Sequence, residues 1–285
     1  MLKKFAPFFA LLTACLILLG ACSDDDSSES TGNTTNTTAG GTDLNSMMDG
    51  VSLVSDGKLT VCSDMPYEPF EFEDDAGQTT GFDYDLLTGM STSLGLGAPS
   101  FQTTPFDSII PALVAGNCDV IASAMTITEE RQQQALFTDP YFDADQSLLV
   151  TKANEATYPD LASLAGQTIG VQSTTTGADY AEENKPAGAT IQEFEGASEL
   201  FAALTAGTIQ AVLQDFPVNA FRANEQPDEF VVTEVFQTNE SYGFAMTKES
   251  TQLQAALNAA LAEFKSSGEY NALYEDWFGT TPDSE

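Results

Sequence analysis

The chain has 285 residues, with 43 Asp and Glu against nine Lys and Arg, no His, and a formal charge of −34. That balance excludes a nucleic-acid partner, because each approach to a phosphate meets repulsion instead of gaining from counterion release. It also makes any cleft attractive to cations and less welcoming to dianions.

Lys3 and Lys4 precede an apolar run from Phe5 to Leu19, which ends in Leu19-Gly20-Ala21-Cys22. A charged start, a short apolar stretch and small residues at its end form a secretory signal, and the run is short for a membrane span. The last four residues resemble the lipobox of bacterial lipoproteins. That resemblance implies that 1–21 is a signal peptide and that Cys22 carries a fatty-acylated lipid such as palmitate provides. The alternative is a plain signal or a short anchor. On the lipoprotein reading the protein lies outside the cytoplasmic membrane, held to it by lipid. Loss of Lys3 and Lys4 with the signal then moves the formal charge from −34 to −36. Residues 22–50 offer almost nothing apolar to bury and read as a flexible tether. Of the four Cys, only Cys62 and Cys118 are left, an even pair in an oxidising compartment. We expect them to be bridged, with a chain-entropy gain of at most about 4 kcal/mol; two free buried thiols are the alternative.

Gly57-Lys-Leu-Thr-Val61 reads as a strand running into the polar tip Ser63-Asp64-Met-Pro-Tyr67. Ile109, Ile110 and Leu113 mark a helix ended by Gly116, and Val120 to Ala124 form the next strand. Thr128 then caps a helix that begins with Glu129 and Glu130, the charges a helix N-terminus prefers. Arg131 follows, where the helix dipole disfavours a cation, and it is one of only two Arg in the chain. On the residues alone it is either a carboxylate receptor beside free backbone N–H groups or the partner of a nearby surface acid.

The pattern then repeats. Gly166-Gln-Thr-Ile-Gly-Val171 is a second first strand, and Leu204-Thr-Ala-Gly207-Thr-Ile-Gln-Ala-Val212 echoes Leu113-Val-Ala-Gly116-Asn-Cys-Asp-Val-Ile121. Helix, glycine and strand make half of a βαβ unit, so the fold class is α/β, with two similar lobes on mostly parallel sheets. Ligands of such sheets bind at the carboxyl ends of strands. The polar tips are therefore candidates: Ser63 to Tyr67, Ser123 to Thr126, Gln172 to Thr176, and Gln214 to Pro217. Tyr242 to Thr247 reads as a returning strand, Ser250 to about Phe264 as a helix, and Glu269 to Phe278 as a last helix beyond Gly268. Its Tyr270, Leu273, Tyr274 and Trp277 form a packing face.

Five segments, in order, resemble the polar amino-acid uptake family of extracellular solute-binding proteins. They are Asp64-Met-Pro-Tyr67-Glu-Pro-Phe-Glu-Phe72, Gly81-Phe-Asp83-Tyr-Asp85, Phe106-Asp-Ser-Ile-Ile-Pro111, Met125-Thr-Ile-Thr-Glu-Glu-Arg131, and Gly268-Glu-Tyr270 with Trp277-Phe-Gly279. The resemblance implies a type II periplasmic-binding-protein fold. Lobe one is then 55–147 plus 242–285 and lobe two 148–241, with hinges near Gln146–Leu149 and Ser241–Gly243. Carried over residue by residue, Arg131 takes the ligand carboxylate, aided by Thr126 and Ala124 from lobe one and by Thr175 and Thr176 from lobe two. Asp215 takes the ammonium, Tyr67 and Phe106 wall the aliphatic part, and Asp64 meets the distal end. Gln172 and Gln214 stand where the family's glutamine-binding protein has Lys and His, so glutamine is not implied. With no second cation among the tips, a polar or basic L-amino acid is expected and dicarboxylates are disfavoured; cystine stays open.

The partners implied are that ligand and the permease of an ATP-driven importer. A monomer without cofactor, metal or catalytic residues is expected. The rivals are a lyase of the cyclohexadienyl dehydratase type, a ligand-sensing receptor module, and an adhesive lipoprotein with a degenerate cleft.

Overall fold

The computed structural model describes residues 44–282. The signal, Cys22 and most of the tether lie outside the described residues. In chain order the first run is β1 (Lys58–Ser63), β2 (Phe72–Glu73), β3 (Thr79–Thr80), α1 (Phe82–Ser93), β4 (Gly97–Thr103), α2 (Phe106–Val114), β5 (Val120–Ile121), α3 (Glu129–Gln134) and β6 (Leu136–Phe137). The second is β7 (Phe142–Thr151), β8 (Thr168–Gln172), α4 (Thr176–Asn184), β9 (Thr190–Phe194), α5 (Ala197–Thr205), β10 (Ala211–Asp215), α6 (Phe216–Glu225) and β11 (Phe230–Tyr242). The chain then closes with β12 (Ala245–Met246), α7 (Thr251–Ser267) and α8 (Glu269–Phe278).

Two five-stranded sheets result, ordered β4-β1-β5-β12-β6 and β11-β7-β10-β8-β9. Read from its parallel side, the second sheet matches the first: the initial strand lies between the next two, and one strand runs against its neighbours. That strand is β12 in the first sheet and β7 in the second. The internal echo thus reports a repeated architecture. β1 is buried along Leu59 to Ser63 because helices cover both faces of the sheet, and this is why its sequence lacks alternation.

Gly116 and Gly207 follow α2 and α5 with φ of 78° and 71°, the left-handed geometry that satisfies helix-end carbonyls. Cys62 and Cys118 are bridged, with Cα atoms 5.7 Å apart. On α8, Tyr274 stacks on Phe142 at 5.4 Å and Trp277 Nε1 donates to Asp85 Oδ2 at 3.0 Å, so the expected aromatic face is packing.

Two details differ from the sequence reading, and a third bears on the expected hinge strands. Residues 44–50, assigned to the tether, include a 3-10 turn at Leu44–Met48. Leu44, Met47 and Met48 pack on the core, and Gln252 of α7 donates to the carbonyls of Met47 and Asp49, so the apolar residues there do find a surface. β5 ends at Ile121, because Ser123 and Ala124 bond to buried side chains instead of a ladder. Gln146 to Leu149, expected as a hinge, lie inside β7 and pair with both β10 and β11. The chain changes sheets over residues 138–141 and 243–244.

Candidate functional site

The carboxyl ends of β1, β8 and β10 and the segment after β5 converge on a narrow cleft between the sheets. Every residue singled out in the sequence lines it except Gln214, and Ser123 joins them. Gln214 is buried elsewhere: neighbours on a strand face opposite ways, and its Nε2 donates to Asn219 Oδ1 at 3.0 Å. The expectation that it meets a ligand is corrected on that ground.

Arg131 is placed by its helix cap. Thr128 Oγ1 accepts the Arg131 N–H at 3.1 Å, as the sequence indicated. Of the two readings of Arg131, the surface pair is absent, since the guanidinium reaches into the cleft. It donates from Nη1 to the Thr126 carbonyl at 2.8 Å and from Nη2 across the cleft to the Thr174 carbonyl at 3.2 Å. Its Cζ lies 5.2 Å from the centre of the Phe106 ring. Burial lowers the Arg131 pKa, and Asp215 and Glu240 oppose that shift.

Asp215 closes β10. Its Oδ2 accepts from Tyr242 at 2.5 Å and from Tyr67 at 3.1 Å, and its Oδ1 accepts from Gln146 Nε2 at 2.6 Å. Burial pushes its pKa up to about 6, and Glu240 adds to the rise. At the other end of the cleft, Asp64 Oδ2 accepts from Gln172 Nε2 at 2.6 Å, a bond that crosses between the sheets. Burial pushes Asp64 to about 6 as well, against the pull of that bond. Neither carboxyl pairs with a Lys or Arg among the described residues.

Thr175 Oγ1 caps α4 by accepting from the Ala178 N–H at 3.1 Å. Gly177 lets that helix end approach β10: a Cβ there would lie 2.8 Å from Gln146 Oε1 and 3.3 Å from the Gln214 Cα.

Glu240 and Gln146 were not foreseen as groups of the cleft. Between Phe236 and Glu240 the register of β11 against β7 shifts, and Asn239 has φ of 54°. A bulge of this kind re-aims a side chain. Glu240 accepts from Thr126 at 3.0 Å, from Thr176 at 2.6 Å and from Gln146 at 3.1 Å, joining both faces of the cleft from the strand behind it. The signal that was available, the polar Asn239-Glu240 pair inside a strand, does not tell which way the pair points. Among the described residues there is no cluster of three acids or Cys placed to hold a metal, and no helix is long and apolar enough to cross a membrane.

Two sheets that meet over a polar cleft, with a guanidinium and buried carboxyls set along it, have the form of a two-lobe binding protein. Residues 59–280 match the bacterial extracellular solute-binding proteins, family 3, and the chain belongs to that family. It is 34% identical over 229 residues to the histidine-binding periplasmic protein of Salmonella typhimurium, covering 78% of this chain and 87% of that one. It is 32% identical over 210 residues to the ABC transporter glutamine-binding protein of Bacillus subtilis, covering 73% and 76%.

Among solved structures, a mutant of ArgBP from T. maritima superposes with a TM-score of 0.74 at 34% identity, covering 83% of this chain and 99% of that one. An ancestral arginine-binding protein bound to arginine gives 0.73 at 36%, covering 78% and 99%. The ancestral amino acid-binding protein AncCDT-1, a precursor of cyclohexadienyl dehydratase, gives 0.73 at 36%, covering 82% and 99%.

Proposed function

We propose that the chain captures a cationic L-amino acid, with arginine the first candidate, and delivers it to the permease of an ATP-driven importer. The observation that carries this reading is the charge order along the cleft: Arg131, then Asp215, then Asp64 beyond Tyr67. An α-carboxylate accepts both arms of the guanidinium, an α-ammonium meets Asp215, and a distal ammonium or guanidinium meets Asp64. Each cation that arrives restores an ionised carboxyl which burial disfavours, so binding energy is largest for a ligand with both. Thr126, Ala124, Thr175 and Thr176 frame the carboxylate end, Tyr67 and Phe106 the aliphatic stem, and Gln172 steadies Asp64. Relatives named for arginine and histidine support the same class.

One lobe is built on each sheet, and they close on the ligand. The protein works outside the cytoplasmic membrane as a monomer tethered through lipid on Cys22. The AncCDT-1 likeness favours a second reading, a lyase, in which Asp64 or Asp215 with its raised pKa serves as general acid; turnover of prephenate or arogenate tests it.

The binding reading is tested by calorimetric titration of the lipid-free protein, residues 44–285, against the L-amino acids. L-Arginine, L-lysine or L-histidine is expected to bind and L-glutamate to be silent. Arg131→Ala should cost about 2–5 kcal/mol, roughly 30-fold or more in Kd, by leaving a buried charge unpaired. Silence across the panel in folded protein overturns the function, and a loss of only a few-fold in the variant overturns the carboxylate assignment.

A further inference from the structure

Below the Ser123–Ala124 turn lie two acids that ligand contact does not use. Glu71, ahead of β2, and Asp83, in the first turn of α1, are both 0% exposed. Asp83 Oδ2 accepts the Ala124 N–H at 3.0 Å and the Tyr141 hydroxyl at 2.7 Å. Glu71 Oε1 accepts the Ser123 hydroxyl at 3.2 Å, and Ser123 Oγ in turn accepts the Asp64 N–H at 3.0 Å. One oxygen of each acid, Glu71 Oε2 and Asp83 Oδ1, receives no N–H or O–H from any other group. The two acids hold consecutive residues, Ser123 and Ala124, and the charge of Asp83 helps raise Glu71, so the carboxyls lie within electrostatic reach of each other. Two carboxylate ions leave both of those buried oxygens unsatisfied, whereas one proton held between them supplies the missing donor.

Nothing nearby compensates two negative charges. The titratable groups that face the pair are Tyr141, Tyr67 on the β1 side, Tyr270 of α8, Asp64 and Asp215, all neutral or anionic. No Lys or Arg pairs with either acid among the described residues. The turn they support is strained: Ala124 sits at φ 41°, a left-handed value that costs a residue with a Cβ about 1 kcal/mol or more. Its N–H bond to Asp83 and the Ser123 bond to Glu71 hold it there.

We propose that Glu71 and Asp83 share a proton, and that this acid–carboxylate pair is the positioning element for the turn leading to Thr126 and Arg131. When the last shared proton leaves, two buried anions repel, the Ser123 and Ala124 anchors separate, and the carboxylate end of the cleft loses its shape. Burial works in this direction: it pushes Asp83 up to about 7 and Glu71 well above its ordinary value, so the pair keeps a proton at neutral pH. The pair titrates as a unit. The inference rests on the binding reading only for the meaning of the turn.

Glu71→Gln is the test, because an amide donates the same bond and has no proton to lose. L-Arginine affinity and the unfolding midpoint without any amino acid are measured from neutral pH to about 9.5 in the wild type, Glu71→Gln and Glu71→Ala. The wild type should lose affinity in excess of Glu71→Gln, on the order of tenfold per pKa unit displaced by unlocking. Glu71→Gln should keep neutral-pH affinity within about threefold, since one hydrogen bond replaces another, while Glu71→Ala loses it throughout. The unfolding midpoint should fall with pH in the wild type and stay flatter in Glu71→Gln, a readout that holds even if L-arginine does not bind. Parallel pH profiles for wild type and Glu71→Gln in both measurements overturn the shared proton. Equal loss in Glu71→Gln and Glu71→Ala at neutral pH overturns the positioning role.

Discussion

Asp64 and Asp215 oppose folding and favour ligand by the same means. Both are carboxyls raised to about 6 by burial, against an ordinary value of 3.8. A folded-state pKa above the unfolded one means that the native state binds more protons between those values. Stability therefore falls as pH rises from about 4 through 6. A cationic ligand needs the ionised forms, so its affinity should move the other way. Acidification from pH 7.5 to 5 is expected to raise the melting temperature without ligand and to weaken L-arginine binding by about tenfold for each of the two carboxyls, about a hundredfold together, since pH 5 lies one unit below each pKa. Paired thermal melts and calorimetry at the two pH values check this, and trends of the same sign refute it. Arg131 and Asp215 were legible in the sequence because a lone cation at a helix start and an acid at a strand end stand out against their surroundings. Glu240 and Gln146 were not, since their orientation depends on a bulge and on pairing with strands far away in the chain.

At the scale of elements, glycines carried much of what could be read. Gly116, Gly207 and Gly268 each end a helix with positive φ, and the spacing of two of them exposed the repeated halves. Short strands were less legible: β6 has two residues and owes its existence to pairing with β12, which itself lies inside the returning strand read from Tyr242 to Thr247. Residues 44–48 were misread because their few apolar side chains signal burial only once the surface of α7 is known. Gly81 is the element-scale position most sensitive to change. It joins β3 to α1 at φ 127°, and a Cβ there would lie 2.1 Å from the Phe70 carbonyl oxygen, a backbone atom that cannot swing aside. Gly81→Ala should cost about 3 kcal/mol or more, combining backbone strain with overpacking. A urea midpoint within error of the wild type would refute that account.

For the whole molecule, both arginines reach from one half to the other. Arg131 crosses the cleft to Thr174, and Arg222 of α6 pairs with Glu68 in the loop after β1 at 3.3 Å, its guanidinium 4.5 Å over Phe201. The second contact lies outside the ligand contacts and favours closure whatever the cleft holds. Arg222→Gln should speed L-arginine release and weaken Kd by about fivefold, the scale of a partly exposed ion pair worth roughly 1 kcal/mol. High salt should narrow the difference between variant and wild type. An unchanged off-rate in stopped-flow traces would show that the pair carries no share of closure.

The two sheets are alike in space but not in time. All strands of the second come from one continuous stretch, residues 142–242, whereas the first takes its reversed strand from β12, after that stretch has ended. A nascent chain can therefore assemble the second sheet while the first still lacks a strand and the helices α7 and α8. Order of synthesis then makes the later-encoded half the earlier template, and leaves the Arg131 side of the cleft to be completed last.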